Sequence, residues 1–213
     1  MYIQSVRFDD VNTHADALQN WSQEYDQLSS GRFDGTIDDI QLDSVRLFRE
    51  SMKQSVRQDT HTPTGKINFM VPNHIQSEKT SDQARQILSG DVTILPYDSD
   101  FSFVAPPETD YTVISIAHER LRNLLSNEAY SWLLSLRHSH GIHASSIVVT
   151  KARHDLIKIL NRLITVPLDH DAFALNSNQQ VKAAQDQIML IVLELCDSDL
   201  HDTHSLKRLG NQH

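Results

Sequence analysis

The 213-residue chain contains a single cysteine, Cys196, only six glycines, and no apolar run that could cross a bilayer. One thiol excludes an intramolecular disulfide framework and fits a reducing compartment. The longest apolar run, "IMLIVLEL", falls far short of the ~20 residues a membrane helix needs, so no membrane partner is expected. The opening residues, "MYIQSVRFDDVNTHADAL", lack the basic start and apolar stretch of a secretory signal, and the cytoplasm is the simplest expected location. Basic residues are outnumbered, 19 Lys and Arg against 28 Asp and Glu, for a net charge of −9. Such a surface repels phosphates, and no Lys/Arg stripe offsets it, which argues against DNA binding by this chain alone. No glycine-rich phosphate loop and no Gly-x-Ser-x-Gly nucleophile motif is present.

What is present divides the chain in three. Residues 1–117 are read as an N-terminal helix and a β section. Within residues 9–28, Leu18, Trp21 and Tyr25 recur at helical spacing and predict a short amphipathic helix. From residue 33 the apolar residues alternate instead: Val45 and Leu47; Ile67, Phe69 and Val71; Val92 and Ile94; Thr112, Ile114 and Ile116. Short strands punctuated by Gly, Pro, Asn and Asp predict a barrel or sandwich. Residues 118–198 turn helical, with Leu121, Leu124, Leu133, Leu156, Leu160 and Leu163 at three- and four-residue steps. The last helix, about residues 178–196, places Val181, Ala184, Ile188, Ile191 and Leu195 on a two-heptad seam, a candidate dimer interface. Residues 199–213 are polar and read as a flexible tail or linker.

The segment "SGDVTILPYDSDF" begins like the second metal-binding motif of cupin barrels, with Gly90 and Pro96 spaced as in Gly-x5-Pro-x-Gly-x2-His. Asp98 stands where the second glycine belongs and Phe101 where the histidine belongs. An aromatic ring offers no lone pair to a metal, so no metal or other cofactor is expected and the chain is not read as an enzyme. His138, His140 and His143 lie in a predicted loop with no completing carboxylate, and His74, His118 and His170 are isolated. Cys196 sits in an apolar helix, the setting of a packed side chain rather than a reactive thiol. By strand alternation Arg49 shares a face with Val45 and Leu47 and is expected to point inward. A buried guanidinium needs a partner, either a carboxylate on a neighbouring strand or a small acidic or polar effector inside the barrel. Arg57 raises the same choice. Phe69, Tyr97, Phe101 and Phe103 are candidate walls of such a cavity, or plain core.

Residues 21–58 resemble the N-terminal region of AraC/XylS-type transcription regulators, of the ethanolamine-utilisation activator type. The signature is Trp-x3-Tyr-Asp-Gln-Leu-x2-Gly-[Arg/Lys]-Phe-x-Gly, met here by Trp21, Tyr25, Asp26, Gln27, Leu28, Gly31, Arg32, Phe33 and Gly35. The "FRE" of Phe48 to Glu50 and the "RQ" of Arg57 and Gln58 extend it, and the resemblance spans about residues 12–197. It implies an α+β protein in which a cupin-like, jelly-roll barrel binds a small effector and a helical region forms a homodimer. It also implies a C-terminal DNA-binding domain of two helix-turn-helix units, and the chain stops about where such a domain begins. The resemblance transfers no effector identity. The alternatives are a cupin-type enzyme, with or without metal, and a ligand-free interaction module.

Overall fold

The computed structural model of the protein describes residues 2–74, 92–95, 98–136, 142, 144–165 and 174–210. The fold is α+β. Its strands are β1 (Tyr2–Phe8), β2 (Ser22–Gln27), β3 (Gly35–Gln41), β4 (Val45–Met52), β5 (Val56–His61), β6 (Lys66–His74), β7 (Thr93–Leu95), β8 (Asp100–Ala105) and β9 (Thr109–Ala117). The helices are α1 (Val11–Ala15), α2 (His118–Leu124), α3 (Asn127–Leu136), α4 (Ser146–Thr165) and α5 (Ala174–Gly210). Every strand pair is antiparallel. A six-stranded sheet runs β1-β3-β4-β9-β6-β7, and a separate three-stranded sheet runs β2-β5-β8.

A closed barrel is therefore not what forms. Among the described residues no backbone ladder joins the two sheets, and they face each other as a sandwich. The large sheet is covered on both sides. On one side Phe48, Met52, Met70, Tyr111 and Val113 meet Tyr25, Val56, Phe103 and Ala105 of the small sheet. On the other side Leu47, Ile67, Phe69, Val71, Ile114 and Ile116 meet the helices. A strand buried on both faces reads as a nearly continuous apolar run, as "VRLF" and "INFMV" do.

In α4, Val149, Ala152, Leu156, Ile159, Leu160 and Leu163 are buried at three- and four-residue steps, which lays one face on the large sheet. Helix α5 runs antiparallel to α4, as the pairs Lys151–Glu194 and Arg162–Gln187 fix. Its heptad seam joins the same apolar cluster. The helix continues through Gly210, so residues 199–210, expected to be a loose tail, carry helical backbone.

The expected helix over residues 9–28 shrinks to α1, and Ser22–Gln27 is a strand. Asp10 caps α1, its carboxylate accepting from Asn12 N at 3.1 Å and Thr13 N at 2.9 Å. Leu18, Trp21 and Tyr25 are all buried, but Tyr25 is so because it alternates with Glu24 and Asp26 on β2. Three apolar positions do not separate the two periods. Strand β1 gave no sequence signal because it is a mostly exposed edge strand whose alternation is weak.

Candidate functional site

The space between the sheets is the candidate site. On the inner face of the small sheet, register places Gln23, Thr60 and Phe101 in one cross-strand row and Tyr25, Gln58 and Phe103 in the next. Opposite them the large sheet offers Glu50 beside Tyr111, Phe48 beside Val113 and Met70, and Arg46 beside Ser115 and Asn68.

Glu50 is the hub. It is fully buried, and among the described residues no Lys or Arg bonds it. Its Oε1 accepts from His14 Nε2 at 2.8 Å and from the Tyr25 hydroxyl at 3.0 Å, and Oε2 accepts from the Tyr111 hydroxyl. The Tyr111 oxygen also lies 3.1 Å from Gln58 Oε1. Burial, and then the charge of Glu50, pushes the Tyr25 and Tyr111 hydroxyls well above the usual tyrosine range. Both therefore stay protonated and serve as donors. Helix α1 exists in this picture to deliver His14, whose ring packs edge-on against Phe8 and Phe33. Room for that ring comes from Gly35: a Cβ there would lie 2.8 Å from His14 Cε1 and Nδ1. Facing a carboxylate, Nε2 is the donor of this pair, and buried Nδ1 has no partner among the described residues.

Glu50, Gln58 and Tyr111 of this network also line a cavity whose other walls include Trp21, Gln23, Thr60, Phe101, Phe103 and Leu95, with about 10 Å³ of room for a water centre. That suffices for about one water molecule. Its polar lining is incomplete. Trp21 Nε1, Gln23 Oε1 and Thr60 Oγ1 are buried with no hydrogen-bond partner among the described residues. Outside that lining, Nδ2 and Oδ1 of Asn68, directly opposite Leu95 in register and on the same face as Met70, are also buried with no partner among the described residues. At the far end Arg46 forks onto Asp39 at 2.7 and 2.8 Å and stacks over Phe48.

The sequence-derived candidates scatter around this site. Arg49 does share a face with Val45 and Leu47, but that face is the helix side. Its guanidinium lies at the open end there, 31% exposed, bonded to Asp110 on the neighbouring strand with Nε–Oδ1 at 2.9 Å. Asn73 Nδ2 bonds the same Asp110 oxygen at 2.9 Å. Arg57 is exposed and pairs with Asp59 at 3.1 Å. Phe69 belongs to the helix-side core and lines no part of the interior between the sheets. Phe101 and Phe103 do line the cavity, stacked on each other at 5.8 Å. Tyr97 lies outside the described residues, as do Gly90, Pro96, His138, His140, His143 and His170. Asp98, in the position of the missing motif glycine, has φ of 46°, the left-handed conformation that glycine would supply. Cys196 is buried in the helix-side core. Among the described residues no three His, Cys, Asp or Glu side chains cluster as metal ligands, and no helix is long and apolar enough to cross a membrane.

Of the seam residues, Ala184, Ile188, Ile191 and Leu195 are buried within the chain itself and Val181 is half-buried. The heptad thus serves the contact of α5 with the chain's own core. The outward apolar side chains of the helix pair are instead Ile147, 79% exposed, and Leu190, 58% exposed.

Sequence reasoning missed His14, Glu50, Tyr111, Thr60 and Asn68. Glu50 alone carried a signal: it alternates with Phe48 and Met52, an acid on an apolar face. No protein-family model matches the chain, and no solved structure matches it.

Proposed function

We propose that the protein is the ligand-sensing and dimerising part of a transcription regulator of the AraC/XylS type. A small effector enters between the two sheets, orders the segment carrying Trp21 and Tyr25, and biases how two copies pair and present a DNA-binding domain. One observation carries the reading: Trp21 and Thr60 are buried, with polar atoms that have no partner among the described residues, around an aromatic-walled cavity. Leaving such groups unpaired costs about 1–3 kcal/mol each, a cost that a guest can remove. Binding rather than turnover is supported because His14 and Glu50 are bonded to each other, with tyrosine hydroxyls filling the remaining approach to the carboxylate.

Dimerisation is assigned to the outer face of the helix pair. Ile147, Lys151, Asp155, Lys158 and Arg162 form one stripe on α4, and a groove separates it from Gln187, Leu190 and Glu194 on α5. A ligand shifts such an assembly only if it binds one arrangement better than the other.

The test is sedimentation of the wild type and Leu190→Glu, alongside thermal unfolding against a panel of small amines, acids and nucleotides. Expected are a wild-type dimer, a monomeric variant that unfolds at the wild-type temperature, and stabilisation that grows with the concentration of at least one compound. A wild type that stays monomeric and gains stability from nothing in the panel would remove the proposal.

A further inference from the structure

We infer that the guest of the interior site is a small, uncharged, planar molecule bearing an amide: a primary carboxamide or a cyclic amide. This rests on the sensor reading and specifies its ligand class. The atoms of the lining without a partner among the described residues are a Trp21 N–H donor, a Gln23 carbonyl acceptor and a Thr60 hydroxyl that does both. None carries charge. The charged groups nearby are already engaged: Glu50 by three donors and Arg46 by Asp39. A charged guest would leave water without finding a counter-ion among the open atoms, whereas an amide edge matches their mixture of donors and acceptors. Flat walls come from Trp21, Phe101 and Phe103, so a planar molecule buries most apolar surface there.

Entry requires one movement. The cavity as it stands holds about one water, and Phe101 is its half-buried wall. That side chain sits on β8, which among the described residues pairs only with β5. An edge strand held by one ladder is the element that can swing outward at least cost.

Two measurements test this. First, Thr60→Val keeps volume and removes an open polar atom of the lining, so the ligand-free variant melts above wild type, by about 2–4 °C on the scale of a chain this size. A lower melting temperature would mean that the hydroxyl is structural and satisfied by resident water, and the site would be lost. Second, acetamide and benzamide are titrated into the wild-type protein beside acetate, ethylammonium, benzoate and benzylammonium. At least one amide raises the melting temperature saturably, its charged counterparts do not, and Thr60→Val abolishes the shift. Stabilisation by a charged counterpart acting through the same residues would overturn the neutral class and leave the sensor reading standing. Absence of any shift would overturn the class as well, and the sensor reading would then be judged on its own panel and on the Leu190→Glu dimer.

Discussion

The two faces of the large sheet are built from alternate residues of the same strands, yet they do opposite work. Toward the helices, Leu47, Phe69, Ile114 and Ile116 pack an apolar layer; Thr112 is buried on the same face, and the charged Arg49 is displaced to the open end and paired. Toward the small sheet, the neighbours of those residues are Phe48, Glu50, Asn68 and Tyr111, and the layer mixes rings with carboxylate, amide and hydroxyl. A close-packed apolar layer holds one arrangement. On the ligand-sensing proposal, the polar layer is the wall that adapts to a guest and the apolar layer is its anchor.

The largest effect should come from the anchor. Phe69→Ala empties a fully buried site and should cost about 3–5 kcal/mol in urea unfolding; a cost below about 1 kcal/mol would erase the contrast between the faces. On the polar side, Gly35→Ala drives a methyl into His14 and should cost about 1–3 kcal/mol. Histidine NMR shifts should move with it, since the ring must leave its place against Glu50. Tyr111→Phe removes one donor to Glu50 and should cost about 1–2 kcal/mol.

Tyr111→Phe also has a pH signature. The folded Tyr25 and Tyr111 hold their protons above the pH, near 10, at which unfolded tyrosine releases its own. Below that pH both states are protonated and stability is unaffected. Above it the unfolded state loses protons that the folded state keeps, so stability falls with rising pH. Denaturation across this window should show a shallower fall in Tyr111→Phe, and an identical slope would place the hydroxyl outside the network. The smallest effect is expected at Arg49→Met. Its ion pair with Asp110 is partly exposed and should contribute no more than about 1 kcal/mol. A cost near that of Phe69→Ala would mean that the open end of the helix side is held as tightly as its centre.

Strand parity was legible in β4 and β6: Arg49 does lie with Val45 and Leu47, and Ile67, Phe69 and Val71 do share a face. What alternation leaves open is which of the two faces meets the second sheet, because parity is a property of one strand and enclosure is a property of two layers. Reading the more aliphatic face as the interior puts Phe69 and Arg49 in the pocket and leaves Glu50 out. The helices claim the aliphatic face, so the more polar one turns inward. The heptad of α5 is likewise a seam, as its spacing implies. Whether a seam meets a second copy or the chain's own α4 depends on where the preceding chain has put α4.

The amino-acid sequence alone settled most element types, the alternation within strands and the helix periodicity, because these depend on spacing a few residues apart. Only the tertiary structure decided that His14, Tyr25, Glu50 and Tyr111 meet. They come from α1, β2, β4 and β9, and the antiparallel pairing of β4 with β9 and the docking of one sheet on the other bring them within hydrogen-bond reach. Hydrogen bonds act over about 3 Å, and no local pattern encodes a distance between residues as far apart in the chain as Glu50 and Tyr111.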